Sequence, residues 1–177
     1  ANPMQKQMHS QSLFSAWAAV DAEGALAAVD AIEEQGRRSI ALSAVAMSVA
    51  GRDPEAAYEM IATRDEMNPW QMQTVFTLWA AQDADAAMAK VESMERGDLR
   101  MNALSGLIHG IAQSDVERAA EMARSLNSEE ERTRATQSIM HVWMNQDIEG
   151  ALSYLEDMEE GTAKNNVMQN AIWMMSE

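Results

Sequence analysis

One short pattern recurs five times along this chain and constrains its fold more than any other feature. An aspartate stands four residues after a large apolar residue: Trp17 and Asp21, Val49 and Asp53, Trp79 and Asp83, Ile111 and Asp115, Trp143 and Asp147. The steps from Asp to Asp are 32, 30, 32 and 32 residues. The fourth residue after each Asp is an alanine: Ala25, Ala57, Ala87, Ala119 and Ala151. The second is an acid: Glu23, Glu55, Asp85, Glu117 and Glu149. Four residues before the Trp column stand Leu13, Val45, Val75, Leu107 and Ile139; eight after Asp stand Val29, Ile61, Val91, Ala123 and Leu155. Trp173 to Glu177 reads as a sixth, incomplete copy. Self-similarity at such a period marks stacked repeats.

Each column has a physical reason. Asp favours the N-cap, where its carboxylate accepts from free backbone N–H groups of the first turn. Pro54, directly after Asp53, suits a first helical position. The acid in the first turn sits at the positive end of the helix dipole. The alanine, one turn in, lets a neighbouring helix come close. Each Asp therefore begins a helix B, and the Trp column closes the helix A before it. Gly36, Gly97 and Gly161 suit the C′ position of helix B, with Asn127 in the fourth copy. Asp98, Ser128 and Thr162 suit new N-caps; Ser128 with Glu131 has capping-box spacing, and Asn68-Pro69 is a cap followed by a first-turn proline. The predicted helices span about 8–20, 22–35, 38–51, 54–64, 69–82, 84–96, 99–113, 115–127, 129–145, 147–160 and 163–176.

One such hairpin cannot bury its own apolar face, whereas stacked copies share a continuous core. The expected fold is all-α: a right-handed α/α superhelix, or solenoid, of five helical hairpins plus one terminal helix. The units are about 8–36, 37–67, 68–97, 98–127 and 128–161, with a terminal helix over 162–177 and a tail over 1–7. The Trp, Leu/Val and Ala columns are its expected core ladders. In this hairpin pattern, Trp17 to Ala25 and Trp79 to Ala87, the chain resembles tetratricopeptide-like helical repeats and is similar to short helical repeats of large bacterial proteins. The resemblance implies an array that binds peptides or proteins along a curved face. It carries over no individual binding residue. The polar residues Asn165, Asn166, Gln169 and Asn170 suit a capping end helix.

Charge and composition narrow the function. The 177 residues hold 28 acids against 13 Lys and Arg, a formal net charge of -15. That balance argues against nucleic acid, whose phosphates need basic partners. No apolar run approaches membrane-spanning length. With no Cys there is no disulfide, thiolate zinc site or cysteine nucleophile. The start, Ala1-Asn2-Pro3-Met4, lacks the signal-peptide pattern, and the compartment stays open. No metalloprotease, phosphate-loop, nucleophile-elbow or dinucleotide motif occurs, so no enzyme, cofactor or catalytic residue is expected.

Two polar columns are the candidate binding face. Gln11, Ser43, Gln73, Ser105 and Gln137 form one, and Ser15, Met47, Thr77, His109 and His141 the other. Gln73, Thr77, Ser105, His109, Gln137 and His141 are the candidates to hydrogen-bond an extended peptide. His109 and His141 share a column and could share a metal ion, but no third ligand is evident. The acids Glu33-Glu34, Asp65-Glu66, Glu129-Glu130-Glu131, Asp157 and Glu159-Glu160 cap helices and keep the protein soluble, and would attract a basic partner at low salt. Calcium is not expected, for lack of an EF-hand loop. The 16 Met read mainly as core filler. The expected function is a non-catalytic protein- or peptide-binding scaffold, part of a longer chain or assembly. The alternative is a structural spacer or a self-association module, a homo-oligomer through Trp173, Met174 and Met175. A metal-responsive sensor through His109 and His141 comes third.

Overall fold

A computed structural model describes residues 3–62, 64, 69–158, 164–165 and 168–169, with side chains from residue 8 onward. Among the described residues the chain is all-helical, with nine helices and no strand. They are α1 (Pro3–Val20), α2 (Ala22–Asp30), α3 (Gln35–Ala50), α4 (Pro54–Ala62), α5 (Pro69–Ser93), α6 (Asp98–Ser114), α7 (Val116–Ser125), α8 (Glu129–Gln146) and α9 (Ile148–Glu156). The expected helix 163–176, with Trp173, Met174 and Met175, lies almost wholly outside the described residues. No described helix is long and apolar enough to cross a membrane.

The repeat motif has a direct backbone explanation. Each Asp amide donates to the carbonyl of the Trp column: Asp21 to Trp17, Asp53 to Val49, Asp115 to Ile111 and Asp147 to Trp143, at 2.7–2.8 Å. Each of these Asp carbonyls accepts from the Ala column, at 3.1–3.2 Å. The Asp is thus the last donor of one helical ladder and the first acceptor of the next. Its carboxylate caps the new helix, accepting at 2.9–3.1 Å from the amides of Gly24, Ala56, Ala86, Arg118 and Gly150. The dihedrals repeat as closely: φ/ψ is -145/89 at Asp21, -153/90 at Asp83, -153/91 at Asp115 and -151/96 at Asp147. In four copies the single Asp makes the whole turn, whereas Gly51, Arg52 and Asp53 together join α3 to α4. In the third copy the chain runs through Asp83 as a single kinked element, α5.

Helix ends differ from expectation. α1 begins at Pro3, not near residue 8; proline fits a first helical position, and no breaker follows it before the Trp column. The B-type helices stop at Asp30, Ala62, Ser93, Ser125 and Glu156, and the glycines do not cap them. Gly36 lies inside α3, and Gly97, at φ 155, turns the chain into α6. Gly161 lies outside the described residues. Basic side chains from the following helix take the terminal carbonyls instead, as cations do at the negative end of a helix. Arg100 Nη1 donates to the carbonyls of Val91 (2.7 Å) and Met94 (3.3 Å). Arg132 donates to Leu126 (2.7 Å), and Lys164 to Glu156 and Met158 (3.1 and 3.2 Å). Met94, Leu126 and Met158 are each eleven residues after their Asp, and Arg100, Arg132 and Lys164 are 32 apart.

The nine described helices pack only on those one or two places along the chain. α1, α3, α5, α6 and α8 touch in succession. Side chains reinforce these contacts from one copy to the one before. Ser48 Oγ donates to the Ser15 carbonyl (2.9 Å), and Arg52 to the carbonyls of Ala18 and Ala19 (2.6 and 2.7 Å). Gln82, in the same column as Arg52, donates to the carbonyl of Ala50 (3.1 Å). Between B-type helices run the ion pairs Lys90–Glu55 and Arg118–Asp85, and Arg64, just past α4, pairs with Asp30 at the end of α2. Lys90 also lies over Tyr58, and Arg124 over Tyr154.

The Ala and +8 columns are buried in all five copies. The Val/Leu/Ile column and the Trp column are buried in every copy but the first, where Leu13 is 63% and Trp17 39% exposed. Two core clusters meet at Tyr58, which packs against both.

Candidate functional site

In α3 and α5 the two polar columns lie towards the next A-type helix: Ser43 accepts from Gln71 of α5, and Thr77 lies against Gly106 of α6. Gln73, Thr77, Ser105, His109 and Gln137 are half-buried, and His141 is exposed. The arrangement is tightest where α5 meets α6. The hydroxyl of Thr77 donates to the carbonyl of Gln73 (2.9 Å) and lies 3.1 Å from the carbonyl of Gly106 on the facing helix. A Cβ at Gly106 would come within 2.0 Å of the Gln73 carbonyl oxygen, and one at Gly110 within 2.6 Å of the Thr77 carbonyl oxygen. Two glycines one turn apart thus let the backbones of α5 and α6 touch. In the preceding copy the buried Gln71 donates through its amide to Ser43, joining α5 to α3.

The hydroxyl-bearing candidates are therefore engaged within the fold. Ser105 Oγ donates to the Met101 carbonyl (2.8 Å), one turn back. Such back-bonding lets a hydroxyl sit in a half-dry place. The expected hydrated stripe is open chiefly towards α8. There Gln137 borders a shallow hollow of about 430 Å³ with Glu129, Glu130, Thr133 and Arg134. His109 Nε2 lies 2.9 Å from the side-chain nitrogen of Gln113. Burial pushes the pKa of His109 below its usual 6.5, and the nearby His141 adds to the effect. Among the described residues no group of three His, Asp or Glu is placed to hold a metal ion.

Charge is divided between the helices. Beyond their first turns, α1, α3, α6, α8 and the part of α5 before Asp83 contain no acid. The acids lie in first turns, on the Asp columns, along the B-type helices and in connectors. The exposed and half-exposed side of α6 and α8 includes Asn102, Ser105, His109, Gln113, Gln137, Ser138, His141 and Asn145, with Thr133 and the cation Arg134 beside Gln137.

Three structural features were missed in the sequence: the Gly106–Gly110 seam, the basic column that closes the B-type helices, and the reach of Arg52 and Gln82 to the preceding copy. Two mid-helix glycines at i, i+4 were a usable signal, because glycine there is costly without a packing reason. What the coordinates define is an all-helical protein whose helices pack on their chain neighbours, as a helical repeat would. Compared with known proteins, the chain matches no family model, no curated protein and no solved structure.

Proposed function

We propose that this protein is a non-catalytic scaffold that binds an extended polypeptide, built as a tetratricopeptide-like right-handed superhelix of five hairpins and a terminal helix. The observation that carries the reading is the division of charge. The A-type helices keep acids off their bodies and offer amides, hydroxyls and imidazoles, which pair with a peptide backbone without demanding a charged ligand. The acids on the B-type helices set a negative field that draws a basic partner inwards at low salt. The binding stretch is Gln113, Gln137, His141 and Asn145, with His109 behind them; Gln73, Thr77 and Ser105 continue the same columns but are tied into the helix contacts.

Selection from a displayed library of random peptides tests this directly. Enriched peptides should bind about tenfold more weakly, roughly 1.4 kcal/mol, to a Gln137→Ala, His141→Ala double variant. Binding to Glu117→Gln, on a B-type helix, should change only in its salt dependence. No enrichment, or enrichment indifferent to the double variant, overturns the reading.

A further inference from the structure

Among the described residues, every Phe, Tyr and Trp ring except that of Trp70 meets a second ring. Phe14 and Trp17 stack on each other, Tyr58 joins Phe76 and Trp79, and Trp143 packs on Tyr154. The two tyrosines also carry a cation each: Lys90 Nζ lies 5.0 Å from the centre of Tyr58, and the Arg124 guanidinium 4.7 Å from that of Tyr154. Trp70 is 61% exposed. It is the second residue of α5, three before Gln73 and seven before Thr77, so it lies on the same face of the helix as the polar columns. In the other copies its position is held by Ile40 of α3, which is half-buried, Asn102 of α6 and Arg134 of α8.

We infer that Trp70 is a platform for a cation, the lysine or arginine side chain of a basic polypeptide partner; this rests on the polypeptide-binding reading above. A tryptophan face is the best aromatic surface for a cation, and this protein already uses that contact at Tyr58 and Tyr154. The charges around Trp70 favour the same occupant. Asp65 and Glu66 precede α5 in sequence, and the exposed Asp98 opens α6, which packs on α5. These acids offset the positive end of α5, and the net charge of -15 draws a basic chain towards them. An apolar occupant would need a broader apolar surface. In the first turns of α5, α6 and α8 the other exposed large apolar side chain is Leu99, and Trp70's own column turns polar at Asn102 and Arg134. The exposed Arg134 repels a second cation at α8, so the partner's basic residue belongs at the α5 end of the face.

Proton–nitrogen NMR of the full 177-residue chain reads the ring directly. The probe is the capped pentapeptide Gly-Ser-Lys-Ser-Gly, titrated into the millimolar range. Five Trp give five indole signals, and Trp70→Leu identifies one of them. That signal should shift with the lysine peptide, less so at high salt. The same peptide with norleucine for lysine should bind about fivefold more weakly. Leu99→Ser should leave the lysine titration unchanged. A second arm uses peptides enriched from the displayed library. They should contain Lys or Arg and bind about fivefold more weakly to Trp70→Leu, with Trp70→Phe between and both melting temperatures kept. An unmoved Trp70 signal overturns the inference. An equal or larger shift with norleucine, or a lysine titration weakened by Leu99→Ser, overturns it in favour of an apolar occupant. Enriched peptides that need Gln137 and His141 but not Trp70 sink it and leave the scaffold standing. A Trp70 signal that answers to lysine while no library peptide is enriched supports the cation platform and sinks the scaffold.

Discussion

Gly24 and Gly106 both sit in helices, and a side chain at either would meet an atom at about 2 Å, yet the two contacts differ in kind. At Gly106 the atom is the backbone carbonyl oxygen of Gln73, which cannot move without separating α5 from α6. Gly106→Ala should therefore cost about 1–3 kcal/mol or more by overpacking. At Gly24 the atom is the carboxylate end of Asp21, which can rotate. Ala56 and Ala86 hold the same column in other copies and still receive the Asp cap. Gly24→Ala should be neutral or stabilising by up to about 1 kcal/mol, the helix-propensity gain. Urea titration of the two variants separates these outcomes, and equal losses would show that the seam is looser than drawn. His109 gives a second residue-scale test. Its pKa is lowered on folding, so the unfolded chain takes up the proton first as pH falls. Its stability term is complete above the usual 6.5 and declines as pH drops through that value towards the lower folded one. Melting temperature should fall between about pH 7.5 and 5.5, and fall less in His109→Gln. An equal fall in both proteins would remove His109 as the cause.

At the scale of elements, two arginines that look alike in sequence should behave differently. Arg100 Nε pairs with Glu131 (2.7 Å) while Nη1 holds the end of α5; the two side chains are 14% and 7% exposed. Arg100→Ala leaves a nearly buried carboxylate and loose carbonyls, an expected loss of about 3–5 kcal/mol. Arg118 with Asp85 lies in water, and Arg118→Ala should cost less than about 1 kcal/mol. Chemical denaturation checks both, and a cheap Arg100→Ala would mean the clamp is dispensable. The contrast also shows what could be read from sequence. The Asp turn was legible because all its bonds fall within four residues on either side of one side chain. The Arg100 clamp was not: its partners belong to another helix, and the basic column is broken in the third copy, where the connector is two residues shorter. The polar columns were legible as columns but not in direction. Ser and Thr that bond one turn back suit a helix contact as well as they suit water, so Thr77 and Ser105 gave no sign that they turn towards the next helix.

At the scale of the whole molecule, stability should be distributed as in a chain of neighbours. Among the described residues every helix touches only those one or two places along, and no contact ties α1 directly to α8. Energy then passes from copy to copy, as a sum of local stabilities and neighbour terms. The narrowest passage lies where the two core clusters meet. Tyr58 of α4 lies edge-on to Phe76, with centroids 5.7 Å apart, and Phe76 lies 5.3 Å from Trp79. Phe76 is fully buried, so Phe76→Ala removes both a large core volume and the bridge between clusters, at about 3–5 kcal/mol. A loss placed in the bridge differs from an equal loss elsewhere, because it weakens the term that makes the two halves unfold together. The half containing α1 to α4 ends in a helix covered on one side only, and should open first. Hydrogen exchange along a denaturant series is the measurement. In the unaltered chain, amides of α3 and α7 should lose protection together. In Phe76→Ala those of α3 should lose it at lower denaturant while α7 keeps its own. Coincident loss in the variant would mean that coupling runs through the α5–α6 seam, with Gly106 and Gly110 in place of the aromatic trio as the joint to alter next.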